Sequence, residues 1–389
     1  MDKLFCVELA GTHRYCELEL PATDYELLDA LEKLQMKPGD KPEWEIIGHN
    51  GFELLHPYLS DECDLYQLNT LSARLNQLGM RDRIAFEGLF QTAIAQRKDR
   101  ISIADLFTYI NSTECCHVVP DVLDDAALGR FYAENGFIPA VESVPDSIFE
   151  LLDFEMLGRK ARMEEGGIFT QHGYVIQHED LRIVQDAEGK IPKVPEYIFR
   201  LEISESEMAK TDHPITLGLP AAEDTLTQVL EQSGVYSWDD LTFRIVDSAI
   251  PYLLDEGDCG SVEDLNKLAK ALQHRQSHGE LSKLKAALRA IGCCDIENIL
   301  TIAQDLDDYE FSADFRNAEE VALSGLRRNV REDVLPLVEK HTNLFNLGMD
   351  MMQENNAALT PYGLVWRSDG EIIMAPGQEQ QHNGMEVMS

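Results

Sequence analysis

Leucines fall at helical spacing in two separate stretches of this chain. In "DLYQLNTLSARL" (Asp64 to Leu75), Leu65, Leu68, Leu71 and Leu75 recur every three or four residues, which places them on one face of a helix. "SVEDLNKLAKAL" (Ser261 to Leu272) repeats the pattern with Val262, Leu265, Leu268 and Leu272, and Ser261 with Asp264 supplies an N-cap signal. Before each helix stands an apolar segment, "WEIIGHNGFELL" (Trp44 to Leu55) and "FRIVDSAIPYLL" (Phe243 to Leu254). Both read as a strand, a turn and a short buried run.

These are parts of a longer internal similarity. "LELPATDYELLDALE" (Leu18 to Glu32) returns as "LGLPAAEDTLTQVLE" (Leu217 to Glu231), and "ISIADLFTYI" (Ile101 to Ile110) as "CDIENILTIA" (Cys294 to Ala303). "FEMLGRKARMEEGGIFTQHGYV" (Phe154 to Val175) returns as "FNLGMDMMQENNAALTPYGLV" (Phe345 to Val365). Five blocks in conserved order identify a tandem duplication. The expected organisation is α+β, with two units at 1–180 and 195–370, a linker at 181–194 and a polar tail at 371–389. Each unit divides into a β-rich start with one helix (about 1–60 and 195–256), a helical segment (61–100 and 257–293) and a mixed α/β segment (101–180 and 294–370). A hairpin-like stretch, "IVQDAEGKIPKVPEYIF", with its turn at Glu188-Gly189, is expected to join them.

Charge changes the picture most. The chain of 389 residues holds 70 Asp plus Glu against 33 Lys plus Arg, a net −37. That balance argues against binding nucleic acid or an anionic membrane, both of which need clustered Lys and Arg. It suits plain solubility or a basic partner. The opening "MDKLFCVELAG" is broken by Glu8 and reads as no signal peptide, and no stretch approaches the ~18 apolar residues of a membrane helix. Eight cysteines without a regular framework, including the vicinal pairs Cys115-Cys116 and Cys293-Cys294, suit core positions in a reduced cytoplasm.

Candidate chemistry is sparse. Phosphate-loop, dinucleotide, nucleophile-elbow and zinc-protease motifs are missing. His274 and His278 have the i, i+4 spacing of metal ligands, but a solvated helix face explains them as well. Cys115-Cys116-His117 fits packing better than a thiolate and base, because neighbours in a strand point to opposite faces. Glu164-Glu165 before Gly166-Gly167 fits a helix end closed by glycine rather than an acid/base pair. The polar loop "FTQHGYV" (Phe169 to Val175) could carry a catalytic His172, yet its counterpart "LTPYGLV" keeps Thr360 and Gly363 while replacing the histidine by Tyr362. A turn tolerates that exchange. No enzyme, cofactor or metal is therefore expected.

The carboxylates are the strongest functional signal. From Ile101 to Leu157 eleven acids accompany one base, Arg130; from Asp295 to Leu323 nine accompany Arg316. The candidates for a partner-binding surface are Asp105, Glu114, Asp121, Asp124, Asp125, Glu134, Glu142, Asp146 and Glu150 in the first unit. In the second they are Asp305, Asp307, Asp308, Glu310, Asp314, Glu319 and Glu320. With so few bases nearby they are expected outside and unpaired. At one charge per ~1.7 Å of duplex axis, the net charge corresponds to roughly 60 Å of DNA, near 18 base pairs.

The same blocks resemble the ArdA antirestriction family. The resemblance rests on "LPAT" with its Leu-rich helix, "PEWEIIGHNGFELL", "LYQLNTLSARL" and the run from "LDDAALGRFYAENGF" through "FEMLGRKARMEEGGIFTQHGYV". The family's patterns fall on Trp44 to Gly48, Gln67 to Ala73, Gly129 to Tyr132 and Asp153 to Arg159. The second unit follows them until Ala318, where "VALSGLRRNV" replaces the Gly-Arg-x-Tyr segment. The resemblance implies elongated, three-part α+β subunits that imitate B-form DNA. It further implies inhibition of a type I restriction-modification enzyme at its DNA-binding methyltransferase core. Family members carry one unit and form dimers, so the tandem chain is expected to be a homodimer or an intramolecular pseudo-dimer. The competing expectation is an acidic interaction module of a mobile genetic element that binds another DNA-handling protein.

Overall fold

The computed structural model describes residues 2–59, 63–96, 101–141, 144–185, 187–204, 214–254, 260–292 and 295–376. The first half runs β1 (Phe5–Ala10), β2 (Tyr15–Leu20), α1 (Asp24–Lys33), β3 (Glu43–His49), α2 (Leu65–Asn76), α3 (Met80–Ala95) and α4 (Ile103–Asn111). It continues with β4 (Cys116–Pro120), α5 (Asp125–Glu134), α6 (Asp146–Phe149), α7 (Phe154–Glu165), β5 (Ile168–Phe169) and β6 (Gly173–Gln177).

The second half repeats this series element for element. It runs β7 (Phe199–Ser204), β8 (Ile215–Leu219), α8 (Glu223–Gln232), β9 (Thr242–Ser248), α9 (Val262–Ser277), α10 (Leu281–Ile291) and α11 (Ile296–Gln304). It closes with β10 (Tyr309–Ser312), α12 (Ala318–Asn329), α13 (Leu335–His341), α14 (Leu344–Glu354), β11 (Ala358–Thr360) and β12 (Gly363–Arg367).

The fold is thus mixed α+β, and the sheets repeat with the series. Four three-stranded sheets are described, ordered β2-β1-β3 and β8-β7-β9 at the start of each series, β4-β6-β5 and β10-β12-β11 at its end. Within the last two, His117 faces Ile176 and Glu310 faces Trp366, both in antiparallel register.

Local chemistry explains why these segments adopt these elements. Asp64 accepts from the Gln67 amide at 2.9 Å while the Gln67 side chain accepts from the Asp64 amide at 3.0 Å, a capping box that starts α2. Ser261 starts α9 by accepting from the Asp264 amide at 3.1 Å. The leucines that announced these helices are inside: Leu65, Leu68, Leu71 and Leu75, then Val262, Leu265, Leu268 and Leu272, are at most 1% exposed. An asparagine on each helix secures the turn after the preceding strand. Asn69 accepts from the Ala22 amide at 2.6 Å and donates to the Ala22 carbonyl at 3.0 Å. Asn266 treats Ala221 in the same way, at 2.8 and 3.0 Å.

By internal packing the chain forms two compact units, one of residues 1–8, 19–22 and 41–191, the other of 9–18, 23–40 and 192–389. In the first, Phe86 and Phe90 on α3 and Tyr66 on α2 are among the largest fully buried side chains. In the second, a continuous core joins Phe199, Leu201, Leu265, Leu268, Leu284, Ile299 and Val365, and takes in Tyr25 from α1. That helix is buried on two faces. Asp29 and Tyr25 are as inaccessible as Leu27 and Leu31, because they meet residues of the second series.

One expected element is replaced. The described residues of 181–197 carry no strand, so no hairpin joins the two series. The segment hydrogen-bonds to helices instead: the Arg182 amide to Ser112 (2.8 Å), Val184 to Thr108 (2.9 Å), and the Gln67 side chain to the Ala187 carbonyl (2.6 Å). Gly189 fits where a Cβ would lie 2.3 Å from the Gln67 backbone nitrogen. The glycine serves close approach to α2 rather than a tight turn.

Candidate functional site

Six of the candidate carboxylates, Asp121, Asp124, Asp125, Asp314, Glu319 and Glu320, sit around the strand-to-helix passages of the two closing segments. In the first series β4 is followed by Asp121, which holds φ 61 and donates its amide to the His172 carbonyl at 3.0 Å. Asp124 then caps α5 by accepting from the Ala127 amide at 2.8 Å. Both acids are exposed, and neither forms an ion pair with any of the described residues. Asp314 occupies the matching place after β10 and is also exposed. Asp305, Asp308 and Glu310 are exposed nearby, and the Asp308 carbonyl is fixed by the Ser368 amide at 2.8 Å.

The expectation that these acids lie unpaired is corrected at several positions. Asp125 accepts from Arg162 at 2.7 and 3.1 Å, and this bond, with Arg159 adding, holds its carboxyl below the usual range. Arg130 joins Glu134 at 3.2 Å and Glu150 at 2.7 Å while its guanidinium lies 4.7 Å from the Phe154 ring centroid. Glu114 pairs with Arg182 at 2.9 Å and Asp307 with Arg275 at 3.0 Å. Most of these cations come from outside the acidic windows, on α7, after β6 and at the end of α9, so counting bases within a window misses them. The exposed pairs among these, such as Arg130 with Glu134 and Glu150, are worth little in stability, but all of them quench local charge.

Other candidates have local duties. Asp105 accepts from the Ser102 amide (2.9 Å) and hydroxyl (2.8 Å) in the capping box of α4. Glu320 accepts from the Arg316 amide at 2.8 Å, and it and Glu319 are half-buried in the first turn of α12. Glu142 lies outside the described residues, as does the side chain of Asp146.

The loop at Phe169 to Val175 is a hydroxyl-braced turn. Thr170 Oγ1 accepts from the His172 and Gly173 amides at 3.1 Å each and donates to the Gly173 carbonyl at 3.0 Å. Thr360 builds the same turn with Tyr362 and Gly363. Gly363 has φ +147, while at Gly173 the constraint is space, since a Cβ would lie 2.6 Å from the Val119 carbonyl oxygen. His172 is exposed; beside it the carboxyl of half-buried Glu87 is pushed up by burial, against the opposing pull of His172 and Arg83. Tyr362 is 3% exposed and donates its hydroxyl to Asp29 at 3.0 Å. The same turn is therefore open in one series and a packing contact in the other.

The remaining candidates read as structure. Cys115 and Cys116 are buried, and burial pushes the Cys116 thiol up to about 11; Cys293 and Cys294 lie outside the described residues. The His274 and His278 rings lie 4.4 Å apart on an exposed stretch, and among the described residues no three ligating side chains gather as a metal site. Gly166 ends α7 at φ 69, as the glycine pair suggested. Glu165, however, is tied inward by the hydroxyls of Tyr132 at 2.8 Å and Tyr174 at 3.2 Å. Among the described residues no helix is long and apolar enough to cross a membrane.

A cluster that sequence reasoning missed lies within the second unit. Lys285 on α10 donates to Asp29 at 2.7 Å and to Glu32 at 2.9 Å, with Lys33 on the other Asp29 oxygen at 2.8 Å. Arg14 donates to the carbonyls of Lys33 (3.0 Å), Pro361 (2.6 Å) and Phe315 (2.9 Å). A lysine inside an otherwise apolar helix face, "LSKLKAALRAI", was the available signal.

Compared with known proteins, the chain matches no protein-family model and no curated protein.

Proposed function

We propose that the chain is an antirestriction protein, a tandem ArdA-like molecule whose carboxylates imitate the phosphates of B-form DNA. The observation that supports this reading most is the set of exposed acids without a cation among the described residues: Asp121, Asp124, Asp305, Asp308, Glu310 and Asp314. Asp121 and Asp314 hold the same place, three residues before the caps of α5 and α12, while Asp305, Asp308 and Glu310 precede or lie in β10. Charges held this way meet a basic cleft without the entropy loss of ordering long side chains.

The proposed partner is the DNA-binding methyltransferase core of a type I restriction-modification enzyme, which grips duplex through Lys and Arg. A net −37 concentrates the chain at such a cleft and opposes DNA entry. No bond is made or broken. Two like series give one chain two such acidic segments, the number that a dimer of one-unit chains would carry.

Titrating the purified chain into a type I enzyme with cleavable duplex tests this. Stoichiometric loss of cleavage, relieved by salt and by excess duplex, is expected. Failure to inhibit, with retrieval only of a relaxase or repressor from a host extract, would assign the acidic surface to another DNA-handling partner.

A further inference from the structure

The closing segment of each series packs two helices over a three-stranded sheet, but the space between them is filled differently. In the first series Phe131, Tyr132 and Phe137 have ring centroids 5.3 to 6.0 Å apart, and Tyr132 and Tyr174 both bond Glu165. Tyr132 and Tyr174 belong to the buried core of the segment with Val122 and Leu128, and Phe131 packs against it.

The second series has lost these aromatic rings. Counted from their caps, Asp124 and Asn317, α5 and α12 place Ser324 and Gly325 where Phe131 and Tyr132 stand. Counted from Asp153 and Asn343, Ala161 becomes Met351 and Glu165 becomes Asn355. Tyr174 becomes Leu364 on the matching strand. What remains is a cleft of about 1140 Å³, lined among others by Ser324, Gly325, Met351, Leu364 and Trp366. Its volume lies just above the ~300–1,000 Å³ usual for small-molecule sites.

Two details give the cleft a chemistry. A Cβ on Gly325 would lie 2.0 Å from Met351 Cε, so the methionine tip rests where the Tyr132 side chain begins in the first series. An unbranched thioether with three rotatable bonds can swing aside for a flat ring, as a hydrogen-bonded tyrosine cannot. Arg327 and Arg328 also line the cleft, exposed and without an ion pair among the described residues, at the positions of Glu134 and Asn135. Asp314, Glu320 and Glu354 line it as well, so the cations form a local seat rather than a broad positive field.

We propose that this cleft binds a small aromatic anion. Its ring takes the place of the Tyr132 ring, against Leu364 and Trp366, with Met351 displaced. Its carboxylate, sulfonate or phosphate lies on Arg327 and Arg328, where the guanidinium fork suits oxyanions.

The probe for the test is anilinonaphthalene sulfonate, titrated into the full chain and followed by its fluorescence and by energy transfer from tryptophan. One saturable site per chain is expected. Gly325→Tyr with Met351→Ala, which restores the first-series pair, should weaken binding by at least about tenfold. Arg327→Ala with Arg328→Ala should weaken it by about tenfold while leaving neutral N-phenylnaphthylamine unaffected. Trp366→Phe should remove most of the energy transfer. Unsaturable binding, or saturable binding indifferent to the arginine pair and to Trp366, overturns the proposal even if the filled variant fails to fold.

Discussion

Lys285 Nζ lies 2.7 Å from Asp29 Oδ1, with the two residues only 3% and 1% exposed. The pair ties α1, early in the chain, to α10 of the second series. Burying both charges is costly, and the geometry offsets it by satisfying each ion more than once. Asp29 also meets Lys33 and the Tyr362 hydroxyl, and Lys285 also meets Glu32. Removing one partner should therefore cost far more than removing both. Asp29→Ala is expected to destabilise by about 3–5 kcal/mol, and Asp29→Leu with Lys285→Met to recover most of that loss. Urea unfolding of Asp29→Leu, Lys285→Met and their double checks it; additive losses would contradict it.

The same pair sets a pH window. Burial alone would raise the Asp29 carboxyl, but Lys285 and Lys33 outweigh it and hold it below its ordinary 3.8. Burial alone would lower the Lys285 ammonium, but Asp29 and Glu32 hold it above its ordinary 10.5. Tyr362 is pushed upward, chiefly by burial, and stays neutral as a donor. The stabilisation is complete between 3.8 and 10.5. It is lost as pH falls through the depressed carboxyl value or rises through the elevated ammonium value. The Tm difference between the native chain and the Leu/Met double should be flat across neutral pH and change only beyond those limits.

Asn69 and Asn266 each satisfy the amide and the carbonyl of one alanine. Alanine at either position strands two backbone groups, at a cost of about 1–3 kcal/mol. Aspartate keeps the acceptor and loses the donor, so its cost should fall between. Thermal melts of the four variants check the order, which should be the same in both series.

Gly158 and Gly348 are needed for close helix approach. A Cβ would lie 1.8 Å from the carbonyl oxygen of Asp125 in one case and of Ala318 in the other. Alanine at either should force the helices apart and cost about 1–3 kcal/mol or more. Gly166→Ala has open space around it and only the φ of 69 to oppose it, so about 1 kcal/mol is expected there. Melting temperatures of the three variants separate the two causes.

Much of the fold is written in periodicity. The leucine registers of α2 and α9, the caps at Asp64 and Ser261, and the glycine after α7 each reflect a local rule that tertiary packing left intact. The stretch after Ala318 looked unlike its partner because its side chains had changed, yet α12 forms and meets α14 through Gly348 as α5 meets α7 through Gly158. What is conserved there is a backbone approach, which composition does not display. The partners of the acids were hidden for a related reason. Arg162, Arg182 and Arg275 reach Asp125, Glu114 and Asp307 across more than 30 residues each, and only the fold brings them together. The hairpin expected at 183–199 does not form because Thr108, Gln67 and Thr70 take its backbone groups at Val184, Ala187 and Lys190.

The proposed inhibition depends on which carboxylates act, and charge removal without change of shape separates them. One variant carries Asp→Asn at 121, 124, 305, 308 and 314 with Glu310→Gln; a second carries Glu→Gln at 114, 134 and 150, all ion-paired. Inhibition of a type I restriction-modification enzyme is measured for each over a range of salt. The first variant should inhibit at least about tenfold more weakly with a shallower salt dependence, while the second stays close to the native chain. Undiminished inhibition by the first variant would contradict the account.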